Sequence, residues 1–114
     1  MAQLTDNAKT ILEQRYYGPN DYSPSDVWER VAKAVAQAEK ADVRREWADR
    51  FYDIMADLDF LPNSPTLKNA GLPNGTLSAC FVLPVEDTLE GILKTHHDAA
   101  LIEASGGGLG FSFS

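Results

Sequence analysis

Hydrophobic residues recur every three or four positions through the first part of the chain, which is the spacing of one face of an α-helix. A short helix is predicted over residues 5–16, with Thr5 or Asp6 able to cap the free amides at its start. Ser23 followed by Pro24 predicts a second helix, because proline in the first turn loses no hydrogen bond. The predicted core face of this second helix consists of Val27, Trp28, Val31, Ala32, Val35 and Ala38.

A third helix is predicted directly afterwards, with arginine and aspartate on its solvent side. Its apolar face consists of Val43, Trp47, Phe51, Ile54, Met55 and Leu58. The two longer helices are expected to pack together through these faces. Beyond them, LPNSPTL is predicted to be extended or looped, because residues before proline avoid helical dihedral angles. The stretch NAGLPNGT is predicted to form turns.

The pattern changes at LSACFVLP, a short apolar run that predicts a strand ended by Pro84. Because the run is apolar on both faces, a central, buried strand is expected. Asp87 is predicted to cap the next helix, with Glu90 in the capping-box position. The inner face of that helix is predicted to be Leu89, Ile92, Leu93, His96 and Ala100. Glycine in SGGG is expected to close the helix, and GFSFS predicts a further strand.

The elements together predict a mainly α fold with a few β-strands. Residues 1–60 are expected to form a helical region, and residues 61–114 a strand–helix–strand segment that is incomplete alone. Charged side chains thin out after residue 60, which is typical of a segment that becomes buried. The alternating pattern of the last predicted strand stops at the C-terminus. We therefore expect that the polypeptide is interrupted there.

Charge and composition exclude several functions. The formal net charge of −7 argues against a nucleic-acid-binding surface, which needs clustered lysine and arginine. No apolar run approaches the length of a membrane span, and MAQLTDNAKT lacks the apolar core of a secretory signal. The chain has one cysteine and therefore no internal disulfide. A cytoplasmic location is expected.

Three features could carry chemistry. His96 and His97 are adjacent, so their side chains diverge on a helix; no metal site is predicted, and one packed and one exposed imidazole are expected. The loop SGGGLGFS could either end a helix or contact a ligand. Cys80 could be an inert, buried residue, or a redox thiol whose partner lies outside these residues.

Three segments taken together indicate a protein family more specifically than any one of them does. They are LPNSPTLKNAG, LSACFVLPVEDTLEGI and AALIEASGGGLGFSFS. Their order and spacing resemble the start of the catalytic barrel of ribonucleotide reductases. The segments ACFVLPVED and GFSFS resemble the adenosylcobalamin-dependent (class II) branch in particular. The segment RYYGPNDYSPSDVWERVAKAVA resembles the family's lead-in, and residues 1–14 do not resemble a regulatory ATP-cone. The resemblance implies a ten-stranded α/β barrel, of which this chain would contain the first strand–helix–strand part.

The resemblance also implies an enzyme that converts ribonucleotides to deoxyribonucleotides by radical chemistry. In the family, a cysteine thiyl radical removes hydrogen from C3′ of the nucleotide, and the 2′-hydroxyl leaves as water. Two further thiols supply the reducing equivalents and become a disulfide. Cys80 matches one of these two reducing cysteines. Such a thiol must be held against the sugar at the end of a rigid strand.

Other positions match binding residues of the family. Ser64 matches a hydroxyl residue that binds substrate phosphate. Ala79 matches a second substrate contact, here expected to act through its backbone, and Gly108 matches a glycine whose backbone meets the substrate. An allosteric deoxynucleotide effector site is implied at Asp87, Thr88 and Leu89, the start of a helix that also contributes to a dimer contact in the family. Ala104 departs from the family's usual lysine, which weakens the inference of effector binding.

The implied cofactor of the assembled enzyme is adenosylcobalamin. The implied partners are a ribonucleotide substrate, a thioredoxin-type reductant and the remaining reductase polypeptide, which would carry the radical cysteine and the second reducing cysteine. A split subunit, a precursor cut at an intein site and a truncated chain all remain open. Two alternatives also remain: part of the large subunit of an iron-dependent reductase, and a non-catalytic nucleotide-binding remnant.

Overall fold

The computed structural model describes residues 1–73 and 75–114. The described chain forms two compact units, Met1–Leu77 and Ser78–Ser114. The first unit is helical, and the second contains both strands. Asn74, part of the predicted NAGLPNGT turn, lies outside the described residues.

Four helices form the first unit: α1 (Asp6–Arg15), α2 (Pro24–Ala36), α3 (Arg44–Ala56) and α4 (Ser64–Asn69). The predicted starts of the first two are confirmed. The Thr5 hydroxyl accepts a hydrogen bond from the Ala8 amide at 3.2 Å, and α2 begins at Pro24 with Ser23 as its cap. Polar caps and a first-turn proline therefore fix both helix starts, as the sequence indicates.

The core of the helical unit is built on α2. Of its six predicted core residues, Val27, Trp28, Val31 and Ala32 are buried. Val35 is 39% exposed, and Ala38 lies beyond the end of the helix. The remaining core contacts come from the other helices and the turn after α4: Leu12, Met55, Ala56, Leu67 and Ala70. These side chains join the helices of the first unit in one hydrophobic cluster.

The apolar face of α3 is only partly buried. Met55 is buried, whereas Ile54 and Leu58 are 39% and 40% exposed. Leu58 follows the C-cap and has φ of 60°, the left-handed conformation that ends a helix. The prediction that all six apolar residues share one packed face was therefore wrong at its C-terminal end, because the helix stops before Leu58.

The prediction of an extended or looped LPNSPTL was wrong in its second half. Asn63 is extended, and its side-chain Oδ1 accepts a hydrogen bond from the Thr66 amide at 3.2 Å. The chain then turns into α4. Pro65 lies in the first turn of this helix, where its missing amide proton breaks no helical hydrogen bond. The cap and the proline together start the helix that the sequence pattern did not predict.

One buried ion pair connects the loops and helices of this unit. The Arg30 Nε atom lies 2.9 Å from Asp21 Oδ2, and their side chains are 12% and 5% exposed. The same guanidinium donates hydrogen bonds to the carbonyl oxygens of Tyr16, Leu67 and Ala70 at 3.2, 2.9 and 2.7 Å. Arg30 therefore joins the end of α1, the following loop and α4 to α2.

The second unit consists of β1 (Cys80–Pro84), α5 (Leu89–Ala104) and β2 (Gly108–Ser112). The strands pair in parallel with Cys80 opposite Gly108 and Pro84 opposite Ser112. Parallel neighbours need a crossover connection, and α5 supplies it. Gly106 has φ of +93° and follows the helix end, which confirms the predicted glycine stop.

Two burial predictions for this unit were wrong. The predicted inner face of α5 is exposed at all five positions, and Ala99 is the buried residue, on a face shared with Gly91, Thr95 and Ile102. The strand β1 is exposed at Cys80 and Val82, with Val82 at 73%. The two reasons differ: α5 packs through the side that contains the buried Ala99, and the described chain covers only one face of the strand pair.

No helix in the two described ranges combines the length and the apolar character needed to cross a membrane.

Replacing Arg30 with Met should lower the free energy of unfolding of the helical unit by about 3 kcal/mol. The change leaves a buried carboxylate unpaired and removes donors from three carbonyl oxygens. Arg50→Met is the matched control, because Arg50 pairs with Glu46 on the surface, where both side chains are more than half exposed. Urea unfolding followed by circular dichroism measures both; equal effects would contradict the assignment of Arg30 as the connecting residue.

Candidate functional site

The Cys80 thiol lies at the first residue of β1, on the exposed face of the strand. Exposure alternates along β1: Cys80, Val82 and Pro84 are exposed, whereas Phe81 and Leu83 are partly buried. Side chains of a strand point alternately to its two faces, so the thiol shares the uncovered face with Val82. Of the two alternatives for Cys80, the inert buried residue is therefore contradicted, because the thiol is accessible.

Gly108 lies beside Cys80 on the neighbouring strand. Its amide donates a hydrogen bond to the Ala79 carbonyl at 2.8 Å, so Ala79, Cys80 and Gly108 are brought together. A Cβ atom built on Gly108 would meet only the Ala79 oxygen, at the ordinary contact distance of 3.6 Å. The neighbouring strand therefore places no side chain beside the thiol, and the fold of this unit does not itself require glycine at that position.

Gly107, by contrast, is required by packing within the unit. A Cβ atom there would lie 2.7 Å from Ile102 Cγ2 and 2.8 Å from Phe81 Cε2. Both distances are shorter than carbon–carbon contacts in proteins. The adjacent glycines in SGGG thus differ in role: Gly106 turns the chain, Gly107 makes room for packed side chains, and Gly108 has no side chain close by.

Three further predicted site residues lie at the start of α5, where the structure corrects the cap. Thr88, not Asp87, is the N-cap: its dihedral angles are extended, and its hydroxyl accepts a hydrogen bond from the Gly91 amide at 3.0 Å. The helix begins one residue later than predicted, so Glu90 is not in the capping-box position. Asp87, Thr88 and Leu89 are all exposed at this end.

Lys94 is the only lysine or arginine of α5, and it is paired within the helix. Its Nζ atom lies 2.8 Å from Asp98 Oδ2, one helical turn away. This hydrogen bond lowers the pKa of Asp98 and raises the pKa of Lys94. Together with alanine at position 104, the pair leaves α5 with little positive charge for an anionic effector.

The histidines of α5 do not form a metal site with other described residues. Both His96 and His97 are exposed, so the expectation of one packed imidazole was wrong. Thr95 and Ala99 mark the packed side of α5, and neither imidazole lies on that side. In residues 1–73 and 75–114, no three His, Cys, Asp or Glu side chains cluster closely enough to hold a metal ion.

Ser64, the remaining predicted residue, belongs to the helical unit. It is the exposed first residue of α4, and its Oγ atom lies 3.0 Å from the Tyr16 hydroxyl. Tyr16 was not predicted as a site residue. The two positions are 48 residues apart in the chain, so no local spacing could have indicated the contact.

The comparisons with known proteins cover nearly the whole chain. Residues 2–75 match the family described as "Ribonucleotide reductase, all-alpha domain", and residues 78–114 match "Ribonucleotide reductase, barrel domain". The junction between the matches coincides with the boundary between the two compact units. The predicted resemblance and the predicted fold class are thereby confirmed.

Several curated relatives are similar over much of the chain. The vitamin B12-dependent ribonucleoside-diphosphate reductase of Mycobacterium tuberculosis is 43% identical over 94% of this chain and 17% of its own length. The enzyme of the same name from Thermoplasma acidophilum is 60% identical over 60% of this chain and 9% of its own length. The ribonucleoside-diphosphate reductase subunit alpha of Synechocystis is 36% identical over 91% of this chain and 13% of its own length. The chain thus spans less than a fifth of these relatives.

Replacing Gly107 and Gly108 one at a time with alanine should have different effects on stability, because only Gly107 is closely packed. Gly107→Ala should destabilise the second unit by roughly 1–3 kcal/mol, because Ile102 and Phe81 must move. Gly108→Ala should change stability by less than about 0.5 kcal/mol, because the added methyl group meets no close neighbour. Thermal unfolding of each variant measures the difference; a destabilised Gly108→Ala would mean that the fold itself requires this glycine.

Proposed function

Because the chain belongs to the ribonucleotide reductase family, we propose that it supplies the N-terminal part of an enzyme that reduces ribonucleoside diphosphates to deoxyribonucleotides. The observation that supports this most directly is the position of Cys80: an accessible thiol on the uncovered face of β1, opposite a glycine. A reductant needs such access, because its sulfur must reach the sugar.

Cys80 is proposed to be one of two reducing thiols. In the balanced reaction, two thiols and a ribonucleotide give a disulfide, a deoxyribonucleotide and water from the 2′-hydroxyl. Each thiol gives up one hydrogen. The chain contains one cysteine, so the second thiol and the radical cysteine would come from residues other than these 114, and a thioredoxin-type protein would restore the thiols.

Substrate contacts are proposed at Ser64, Ala79 and Gly108. Gly108 is supported by the absence of side chains beside its Cα atom, where an added Cβ would meet only the Ala79 carbonyl oxygen, so a ligand could approach the backbone closely. Ser64 is supported by its exposure and fixed backbone. All three residues lie after residue 60. We therefore propose a functional division at that point, with a helical region over 1–60 and a substrate-contacting segment over 61–114.

An effector site and a dimer contact are proposed at α5. The free amides at the start of a helix of this length favour an anionic ligand, which supports Asp87, Thr88 and Leu89 as effector contacts. An exposed apolar stripe follows on the same helix, with Leu89, Ile92, Leu93 and Leu101 between 48% and 69% exposed. An exposed apolar face of this kind favours contact with another helix.

Adenosylcobalamin is proposed as the cofactor of the assembled enzyme, where it supplies the radical when bound. The names of two similar relatives support this. The apolar groove of the helical unit does not fit the group. An apolar groove of about 480 Å³ in the helical unit is lined by residues such as Val35, Ile54 and Phe60, whereas a corrinoid carries many amides that need hydrogen-bond partners. We therefore assign its binding to other residues of the enzyme.

A second candidate is part of an iron-dependent reductase large subunit. The similarity to the Synechocystis subunit alpha, at 36% identity, favours it. This candidate shares the proposed role of Cys80 and differs in the source of the radical.

Cys80→Ser should abolish deoxyribonucleotide formation with a thioredoxin-type reductant in the complete reductase. Serine keeps the size and hydrogen-bonding capacity of the side chain but cannot form a disulfide. Nucleotide binding should therefore be retained, which equilibrium binding of labelled substrate would check. Unchanged turnover would instead indicate a non-catalytic nucleotide-binding role for this chain.

Deoxyribonucleotide formation in the complete reductase should require added adenosylcobalamin. The measurement is turnover after removal of corrinoids, with and without the cofactor, and with hydroxocobalamin as a control that lacks the adenosyl group. Turnover that needs iron and no corrinoid would contradict the cobalamin assignment and favour the second candidate.

A further inference from the structure

The contact between Tyr16 and Ser64 joins two parts of the helical unit that are far apart in the sequence. The hydroxyl oxygens lie 3.0 Å apart, within hydrogen-bond distance. Tyr16 is the C-cap of α1, and Ser64 is the first residue of α4. From this geometry we propose that Tyr16 is a positioning residue that orients the Ser64 hydroxyl toward the substrate phosphate. The inference rests on the proposed role of Ser64.

The backbone of Tyr16 is held at both of its polar groups. Its amide donates a hydrogen bond to the Leu12 carbonyl at 2.9 Å, and its carbonyl accepts one from Arg30 at 3.2 Å. The ring packs against the hydrophobic core, whereas the hydroxyl reaches the exposed Ser64. Tyrosine has few rotatable bonds, so a packed ring fixes the position of its hydroxyl.

The Ser64 side is held by the same arginine. Arg30 donates hydrogen bonds to Leu67 and Ala70, at the end of α4. At the other end of α4, the Asn63 side chain caps the helix and also donates to the Leu77 carbonyl at 3.1 Å. Both partners of the hydroxyl pair are therefore fixed to one framework, which favours a defined geometry over a chance surface contact.

The chemistry of the two hydroxyl groups determines which of them donates the hydrogen bond when substrate is bound. A serine hydroxyl has one proton and rotates freely about its Cβ–Oγ bond. When Ser64 donates that proton to a phosphate oxygen, its own oxygen is free to accept one. The Tyr16 hydroxyl is in place to donate it, so the tyrosine favours the rotamer in which Ser64 donates outward. Hydrogen bonds in such a chain strengthen one another.

Tyr16→Phe in the complete reductase tests this proposal, because it removes the hydroxyl and keeps the packed ring. We expect the KM for the nucleotide to rise about three- to tenfold, the effect of one lost hydrogen bond, with kcat changed less than about twofold. Tyr22→Phe is the matched control, because Tyr22 is 82% exposed. Substrate dissociation constants from equilibrium binding should follow the KM values.

A double-mutant cycle with Ser64→Ala separates this inference from the proposed function. If Tyr16 acts through Ser64, the double variant should bind substrate as Ser64→Ala does, within about twofold. Additive losses, or a lower unfolding temperature for Tyr16→Phe with unchanged KM, would overturn the positioning role while leaving Ser64 as a substrate contact. Unchanged KM in Ser64→Ala would overturn the proposed function of Ser64 itself, and the inference with it.

Discussion

The guanidinium group of Arg30 joins the helices of the helical unit through an ion pair and hydrogen bonds to backbone carbonyls. The proposed substrate contact at Ser64 depends on it. The guanidinium pairs with the buried Asp21 carboxylate and donates to carbonyl oxygens at the ends of α1 and α4. A short helix such as α4 has little stability of its own, because few of its hydrogen bonds are internal. Arg30 and the Asn63 cap supply the missing partners, so Ser64 is presented on a fixed backbone.

The sequence predicts the elements of this chain better than it predicts which faces are buried. Ser23 and Pro24 fix the start of α2 locally, and its first four core residues are buried as expected. The face of α5 could not be predicted in the same way. Hydrophobicity favours the leucine and isoleucine stripe, but the buried residue is Ala99, and Thr95 on the same side donates a hydrogen bond to the Pro84 carbonyl of β1 at 2.8 Å. Small residues allow close packing that a scale of hydrophobicity does not register.

The candidate site shows the same limit. Resemblance to a family indicates Cys80, Ser64 and Gly108 as candidates through the sequence around them, and the strand pairing brings Cys80 next to Gly108. Tyr16 could not be found from the sequence, because its partner is distant along the chain and the contact depends on the buried arginine. The cap at Thr88 was missed for a simpler reason: Asp87 and Thr88 are both good caps, and only the dihedral angles decide between them.

The alternating direction of side chains along β1 also limits how this segment can vary. Cys80 and Phe81 point to opposite faces, one open and one packed beside Gly107. A shift of one residue in the pairing of β1 with β2 would exchange the two faces. It would place the sulfur in the packed layer and an aromatic ring where the thiol had been. Between residues 80 and 84 the odd or even number of positions therefore decides which side chains reach the open face, so a loss or gain of two residues would keep the thiol there while a change of one would not.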